Sequence, residues 1–281
     1  MTNQTNTAGS TYFNLHIAGE GFLNRVREVS VQGKGRRAAP FLAVDISAPR
    51  GNKEYARFDC RVSGNGAQDV IRGLMPDIEA EKKVFVRFNL GDLCGESFVY
   101  QQGAKAGQTG ISLKARLLRV DSATVDGQPV HGEPEDRAER APNICISGLA
   151  YLNRVMDRDD RLFASLSALR GKVDEVEYTH FDTEVLGHAA REIIRSLAPE
   201  VEAKRKVLVG FRAQDLTAET FVYRSGKRAG ETGVSLRTHL VDIAWAKVDG
   251  EMVYKAAERA SGAQDQGHET VLEDECLPKA A

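Results

Sequence analysis

Residues 91–127 read GDLCGESFVYQQGAKAGQTGISLKARLLRVDSATVDG, and residues 214–250 read QDLTAETFVYRSGKRAGETGVSLRTHLVDIAWAKVDG. Both follow one frame: Asp-Leu, Glu-x-Phe-Val-Tyr, a Gly-rich basic loop, Thr-Gly, a β-rich run and Val-Asp-Gly. Self-similarity at a fixed offset is read before anything else, because missing it misassigns the fold. The match runs without gaps from Glu54–Val130 onto Glu177–Val253 at an offset of 123. Roughly half of these positions are identical, so two copies of one domain account for most of the chain.

Within copy one the hydrophobic pattern is mostly of period two. A first strand with a Gly kink is expected from Tyr12 to Val31, then a basic flexible loop, Gly33–Pro40, and a second strand from Phe41 to Ser47. Glu54–Val62 alternates cleanly: Phe58, Cys60 and Val62 face the core, while Tyr55, Arg57, Asp59 and Arg61 face outward. Helical spacing then takes over at Val70, Ile71, Leu74 and Ile78, with Ser63 or Asn65 as cap. Gly73 and Pro76 predict a helix of about 8–12 residues followed by a separate Pro-started turn. Lys83–Asn89 is a fourth strand that continues past a bend at Gly91 to Tyr100, and Gly110–Val125 is a fifth.

The order β-β-β-α-β-β is that of an OB-fold, a small Greek-key barrel; a doubly wound sheet would need repeated βα crossovers. The expected fold class is all-β with short helices: two tandem OB-fold-like five-stranded barrels, each with a helix between strands three and four. The expected division is a disordered N-terminus (1–10), domain 1 (11–130), a charged linker (131–142), domain 2 (143–256) and a flexible tail (257–281). Ile146–Arg154 echoes Ile17–Arg25 at an offset of 129, so copy two loses six residues between its first two strands, the basic loop among them, and gains a few before Glu177.

Composition bounds the function. Net charge is −2 over 281 residues, which excludes a globally basic nucleic-acid coat and leaves only local patches. No apolar run is long enough for a membrane span, and the polar, uncharged N-terminus is not that of a signal peptide. Cys60, Cys94, Cys145 and Cys276 are dispersed and unmatched between copies, which suits idle thiols in a reducing cytoplasm rather than zinc. Gly103-x-x-x-Gly-Gln-Thr lacks the lysine of a phosphate loop and opens no helix. No histidine is held in both copies; Asp59/Asp182, Asp92/Asp215 and Asp126/Asp249 are, the last pair as turn formers. These features argue against an enzyme and imply no cofactor and no metal.

OB barrels take oligonucleotides on the strand 2–3 face and the 1–2 and 4–5 loops, and unpaired strands require aromatic platforms with cations beside them. The candidates are Tyr55, Arg57, Arg61, Phe98, Tyr100, Lys105, Lys114, Arg116, Arg36 and Arg37 in copy one. In copy two they are Tyr178, Phe221, Tyr223, Arg224, Lys227, Arg228 and Arg237. Phe98 and Tyr100 are two apart and share a face, so they are either a stacking platform or core. Copy one, with Arg36, Arg37, Arg57 and Arg61, is the better suited to DNA; copy two carries Glu184 in place of Arg61 and suits pairing or assembly.

The frame Tyr12-Phe13, Gly21–Arg25, Glu54-Tyr-x-x-Phe-Asp59, Phe98-x-Tyr100, Gly107–Arg116 and Val125-Asp-Gly127 resembles a family carried on bacterial integrative and conjugative elements, whose members are labelled replication proteins of unknown function. Those ordinarily have one such domain; this chain resembles a tandem fusion. More loosely, strand three, the helix, Lys83–Val86 and the 4–5 hairpin resemble the bacterial single-stranded DNA-binding protein. The departures are the missing tryptophan platforms, with only Trp245 present, and a tail without the acidic, Phe-ended tip that recruits partners. The resemblance implies a non-enzymatic single-stranded DNA-binding protein of element replication or transfer, with replication or conjugation proteins as partners and a homo-oligomer left open. The competing expectations are an OB-fold protein-interaction scaffold and, more remotely, a metal-dependent nuclease.

Overall fold

Alternating side chains and a shared turn chemistry produce the same strand circuit twice. The computed structural model describes residues 12–13, 15–30, 40–50, 54–133 and 144–256. The expected disorder at 1–10, the loop bearing Arg36 and Arg37, most of the linker and the tail at 257–281 lie outside the described residues.

Copy one comprises β1 (His16–Val29), β2 (Phe41–Pro49), β3 (Tyr55–Val62), α1 (Asn65–Glu79), β4 (Val84–Val99), β5 (Thr109–Val125) and β6 (Gln128–His131). Copy two comprises β7 (Ile144–Arg158), β8 (Arg161–Lys172), β9 (Glu175–Val185), α2 (His188–Glu202), β10 (Val207–Val222), β11 (Thr232–Val248) and β12 (Glu251–Lys255). Strands 1-2-3-5-4 pair in that order, β3 with β5 in parallel, and β4 returns to β1 to close the barrel. Strands 7-8-9-11-10 repeat the circuit, closed by β10 on β7. These are two OB-type barrels, as the alternation and element order predict.

Each barrel is filled by the inward set. Phe58 and Phe88 meet edge to face at 6.2 Å in copy one, and Phe181 and Phe211 meet at 6.2 Å in copy two. Cys60 is fully buried in the first core, where burial pushes its thiol pKa up and keeps it inert.

Several details differ from expectation. The first strand starts at His16, with Tyr12 held by an isolated bridge to Lys172, and its irregularity falls between Leu23 and Val26 rather than at the glycines. The helix runs 15 residues with Pro76 inside it. Pro76, Arg72 and Gly73 all face solvent, so the missing N–H leaves its carbonyl partner to water and the helix continues. The helix cap is Gly64, not Ser63 or Asn65, and a Cβ there would stand 1.9 Å from the Leu118 carbonyl oxygen. Gly187 caps α2 against the Val241 carbonyl in the same way, at 2.1 Å. The pairings Leu23↔Ile46 and Leu152↔Leu166 set the second strands at an offset of 120, not 123, so the shortening before β8 is larger than six residues and three return in the β8–β9 turn. The Val-Asp-Gly turns (Asp126 φ 48°, Gly127 φ 84°; Asp249 φ 50°, Gly250 φ 94°) lead into β6 and β12, two short strands not anticipated, the first reaching His131.

The barrels join edge to edge. β1 pairs antiparallel with β7, and Ile17 faces its own counterpart Ile146, which puts a pseudo-twofold axis there. The polar contacts obey that axis. Arg50 donates to Asp215 and Thr217, while Gly171 N–H donates to Asp92 and Arg170 to Cys94; the acceptor positions are related at the offset of 123, and Arg50 and Arg170 at that of 120.

Candidate nucleic-acid interface

At Asp92 (φ 56°) and Asp215 (φ 55°) the register slips, and β4 and β10 leave their barrels as long hairpin arms. A bulge of this kind bends a strand and re-aims its side chains. The two arms cross: Gly95 lies against Val234 and Leu236, and the Ser97 hydroxyl donates to the Thr232 carbonyl at 3.0 Å.

On each arm an aromatic pair lies across a glycine. Phe98 and Tyr100 meet edge to face at 4.8 Å over Gly110, where a Cβ would fall 2.7 Å from the Phe98 ring. Phe221 and Tyr223 meet at 4.8 Å over Gly233, with the same 2.7 Å approach. The Thr-Gly held in both repeats is the signal for this arrangement. Cations extend each pair: Lys105 Nζ sits 5.7 Å from the Tyr100 ring, and the Arg228 guanidinium 4.4 Å from that of Tyr223, whose hydroxyl it also reaches at 3.0 Å.

Exposure decides between platform and core. Tyr55 is 49% exposed, Tyr178 44%, Phe98 40% and Phe221 39%; Tyr100 and Tyr223 are half-buried beneath their partners and cations. Phe98 and Phe221 are therefore not core.

The cations divide into paired and open. Lys114 is held by Glu96 at 2.6 Å, a hydrogen bond that raises its pKa. Arg116 is drawn to Asp92 and stacks on Tyr12 at 4.3 Å; Arg237 pairs with Glu219 at 3.1 Å and Arg228 with Glu231 at 2.7 Å. Arg57, Arg61, Lys105, Arg224 and Lys227 are exposed without an ion pair among the described residues, Arg61 lying over Phe41 at 4.7 Å.

On the outer strand 2–3 face the copies part. In copy one Arg27 bridges Asp45 (2.6 Å) and Asp59, and Arg25 adds a second contact to Asp45 at 3.1 Å. Burial opposes the charge on Arg27, but hydrogen bonds and attraction to the two carboxylates outweigh it and raise its pKa. The positions equivalent to Arg27, Asp45 and Asp59 in copy two are Met156, Ser165 and Asp182. Glu184, at the place of Arg61, is held in a two-pronged pair with Arg161, which lowers its pKa. Sequence reading noted the Asp59/Asp182 match and the Arg25/Arg154 echo but missed Arg27 and the ion pairing, because the partners lie on different strands. Among the described residues no three His, Cys, Asp or Glu converge as metal ligands, and no helix is long and apolar enough to cross a membrane.

This is a tandem OB-barrel protein with aromatic and cationic side chains displayed on matched hairpins. The family described as "Protein of unknown function (DUF3577)" matches residues 6–139 and again residues 135–262, so the chain belongs to that family and carries its domain twice. Among solved structures the chain is similar to a deletion mutant of the single-stranded DNA binding protein from Thermus aquaticus, at 10% identity and TM-score 0.41, over 91% of this chain and 100% of that one. It is also similar to the wild-type protein of that organism, at 12% identity and TM-score 0.39, over 89% and 98%. No curated protein matches.

Proposed function

We propose that this chain is a non-enzymatic single-stranded DNA-binding protein, acting in replication or transfer of an integrative or conjugative element. The observation that carries the binding is the outward display of Tyr55, Phe98, Tyr178 and Phe221 at matched places in both copies, while Phe58, Phe88, Phe181 and Phe211 fill the cores. Large exposed aromatics cost solubility and order, and beside cations they offer faces on which any base stacks, at roughly 1–3 kcal/mol per base. Two barrels fixed edge to edge present two such surfaces to one strand, so modest sites sum. The element role rests on the sequence resemblance alone.

The pairing of Lys114, Arg116, Arg228 and Arg237 with carboxylates favours a second reading, a protein-interaction scaffold. Salt titration of binding to labelled oligo-dT separates the two. Phosphate contacts by the five open cations predict a log-log slope of about −3.5. A flat slope, or no binding, favours the scaffold.

A further inference from the structure

The outer face of the second barrel holds a groove. It has a volume of about 530 Å³, within the size range of small-ligand sites, and its walls include Arg154, Met156, Ser165, Asp182, Arg237 and His239. In copy one the corresponding carboxylate, Asp59, is covered by the guanidinium of Arg27. Copy two has Met156 in that place, and Asp182 forms no ion pair among the described residues.

Asp182 is nevertheless held in position. The Ser165 hydroxyl donates to Oδ1 at 3.0 Å and the Ser235 hydroxyl to Oδ2 at 3.1 Å. An ionised carboxylate has about four lone-pair directions, so one on each oxygen stays open: a fixed acceptor pair. The natural complement is two adjacent N–H donors on one planar group. Copy one meets the equivalent aspartate from within the chain with one arm of such a group: one nitrogen of the Arg27 guanidinium is on Asp59 and the other on Asp45.

We propose that the copy-two groove reads a guanine base of a bound single strand, with Asp182 accepting from its N1–H and N2 amine. Guanine presents the same N–C–N donor edge as a guanidinium. Adenine and cytosine offer one exocyclic amine beside an acceptor ring nitrogen, and thymine one N–H between two carbonyls. Unpaired bases expose this edge, which is how sequence is read in single strands. Arg154, exposed and without an ion pair among the described residues, stands at the rim for the phosphate. The inference rests on the single-strand reading above, and it departs from the expectation that copy two suits pairing or assembly: copy one holds strands without regard to sequence, and copy two adds base preference.

The test is fluorescence anisotropy with labelled oligo-dT of about 20 nucleotides, the same strand with one central guanine, and the same with inosine, which lacks the N2 amine. The wild type is expected to bind the guanine strand about tenfold more tightly than oligo-dT, and inosine is expected to lose most of that gain. Asp182→Asn, and independently Met156→Arg, are expected to abolish the preference while leaving affinity for oligo-dT unchanged. Equal affinity of the wild type for all three strands overturns this inference and leaves the single-strand reading intact; binding to none overturns both. A preference that survives Asp182→Asn overturns the assignment to this groove. An arginine-rich peptide that binds the wild type and not Asp182→Asn, with guanine giving no gain, reassigns the groove to a protein partner.

Discussion

The two barrels have the same strand circuit, the same glycine-capped helix and the same aromatic pair on a glycine, yet their outer faces are chemically opposite. In copy one an arginine lies across two aspartates and closes the face. In copy two a methionine and a serine replace that arginine and one aspartate, and the remaining carboxylate lines a groove. Features that the fold needs are kept in both copies. Side chains that face solvent on the strand 2–3 sheet were free to diverge, and there the duplication specialises.

The largest effect tests the sameness. Gly64→Ala and Gly187→Ala each drive a methyl into a backbone carbonyl, at 1.9 Å and 2.1 Å, which cannot move without unseating a helix. Both should cost about 3 kcal/mol or more in urea unfolding, and by similar amounts. A large penalty in one copy alone would break the equivalence of the folds.

The next test sharpens the difference. Arg27→Met leaves Asp45 and Asp59 facing each other across the β2–β3 ladder with less positive charge between them. The site is 28% exposed at Arg27, so solvent screens part of the loss, and about 1–2 kcal/mol of destabilisation at neutral pH is expected. Met156→Arg gives Asp182 the partner its counterpart has and should be neutral or slightly stabilising. Equal effects of the two substitutions would remove the contrast.

The smallest effect is in pH. His16 stands at the seam between β4 and β7, where Cys145 takes the equivalent place in copy two. Burial lowers the His16 pKa from 6.5, with Arg116 and Arg119 acting in the same sense and Asp92 against it. The unfolded chain therefore takes up this proton more readily than the folded one, so its stability contribution is present above pH 6.5 and is lost as pH falls towards the folded value. Thermal melts from pH 8 to 5.5 should show a small decline in Tm that His16→Gln removes; an identical decline in that variant would assign it elsewhere.

Much of the fold was legible because it is local and repeated. The period-two run at Tyr55–Val62 sorted inside from outside correctly, and the Gly-rich hairpin and the bend near Gly91 stood in both copies. Pro76 misled because propensity speaks of an interior position, whereas its place on the wet side of a final turn is a tertiary fact. Phe98 and Phe221 could not be assigned to core or surface from spacing, since both alternatives share a strand face; the bulge at Asp92 and Asp215 decides it by carrying the arms off the barrels. The Arg27–Asp45–Asp59 network was invisible because its members come from three strands whose offsets to copy two are 129, 120 and 123. No single alignment shift brings their replacements into register.

The most direct test of the account is the affinity of the variant carrying Tyr55→Ala, Phe98→Ala, Tyr178→Ala and Phe221→Ala for oligo-dT, with circular dichroism as a check on folding. All four side chains are exposed, so the variant should fold like the wild type, and loss of stacking should weaken binding at least ~100-fold. A folded variant that binds oligo-dT as tightly as the wild type would contradict the claim that these aromatics hold the strand.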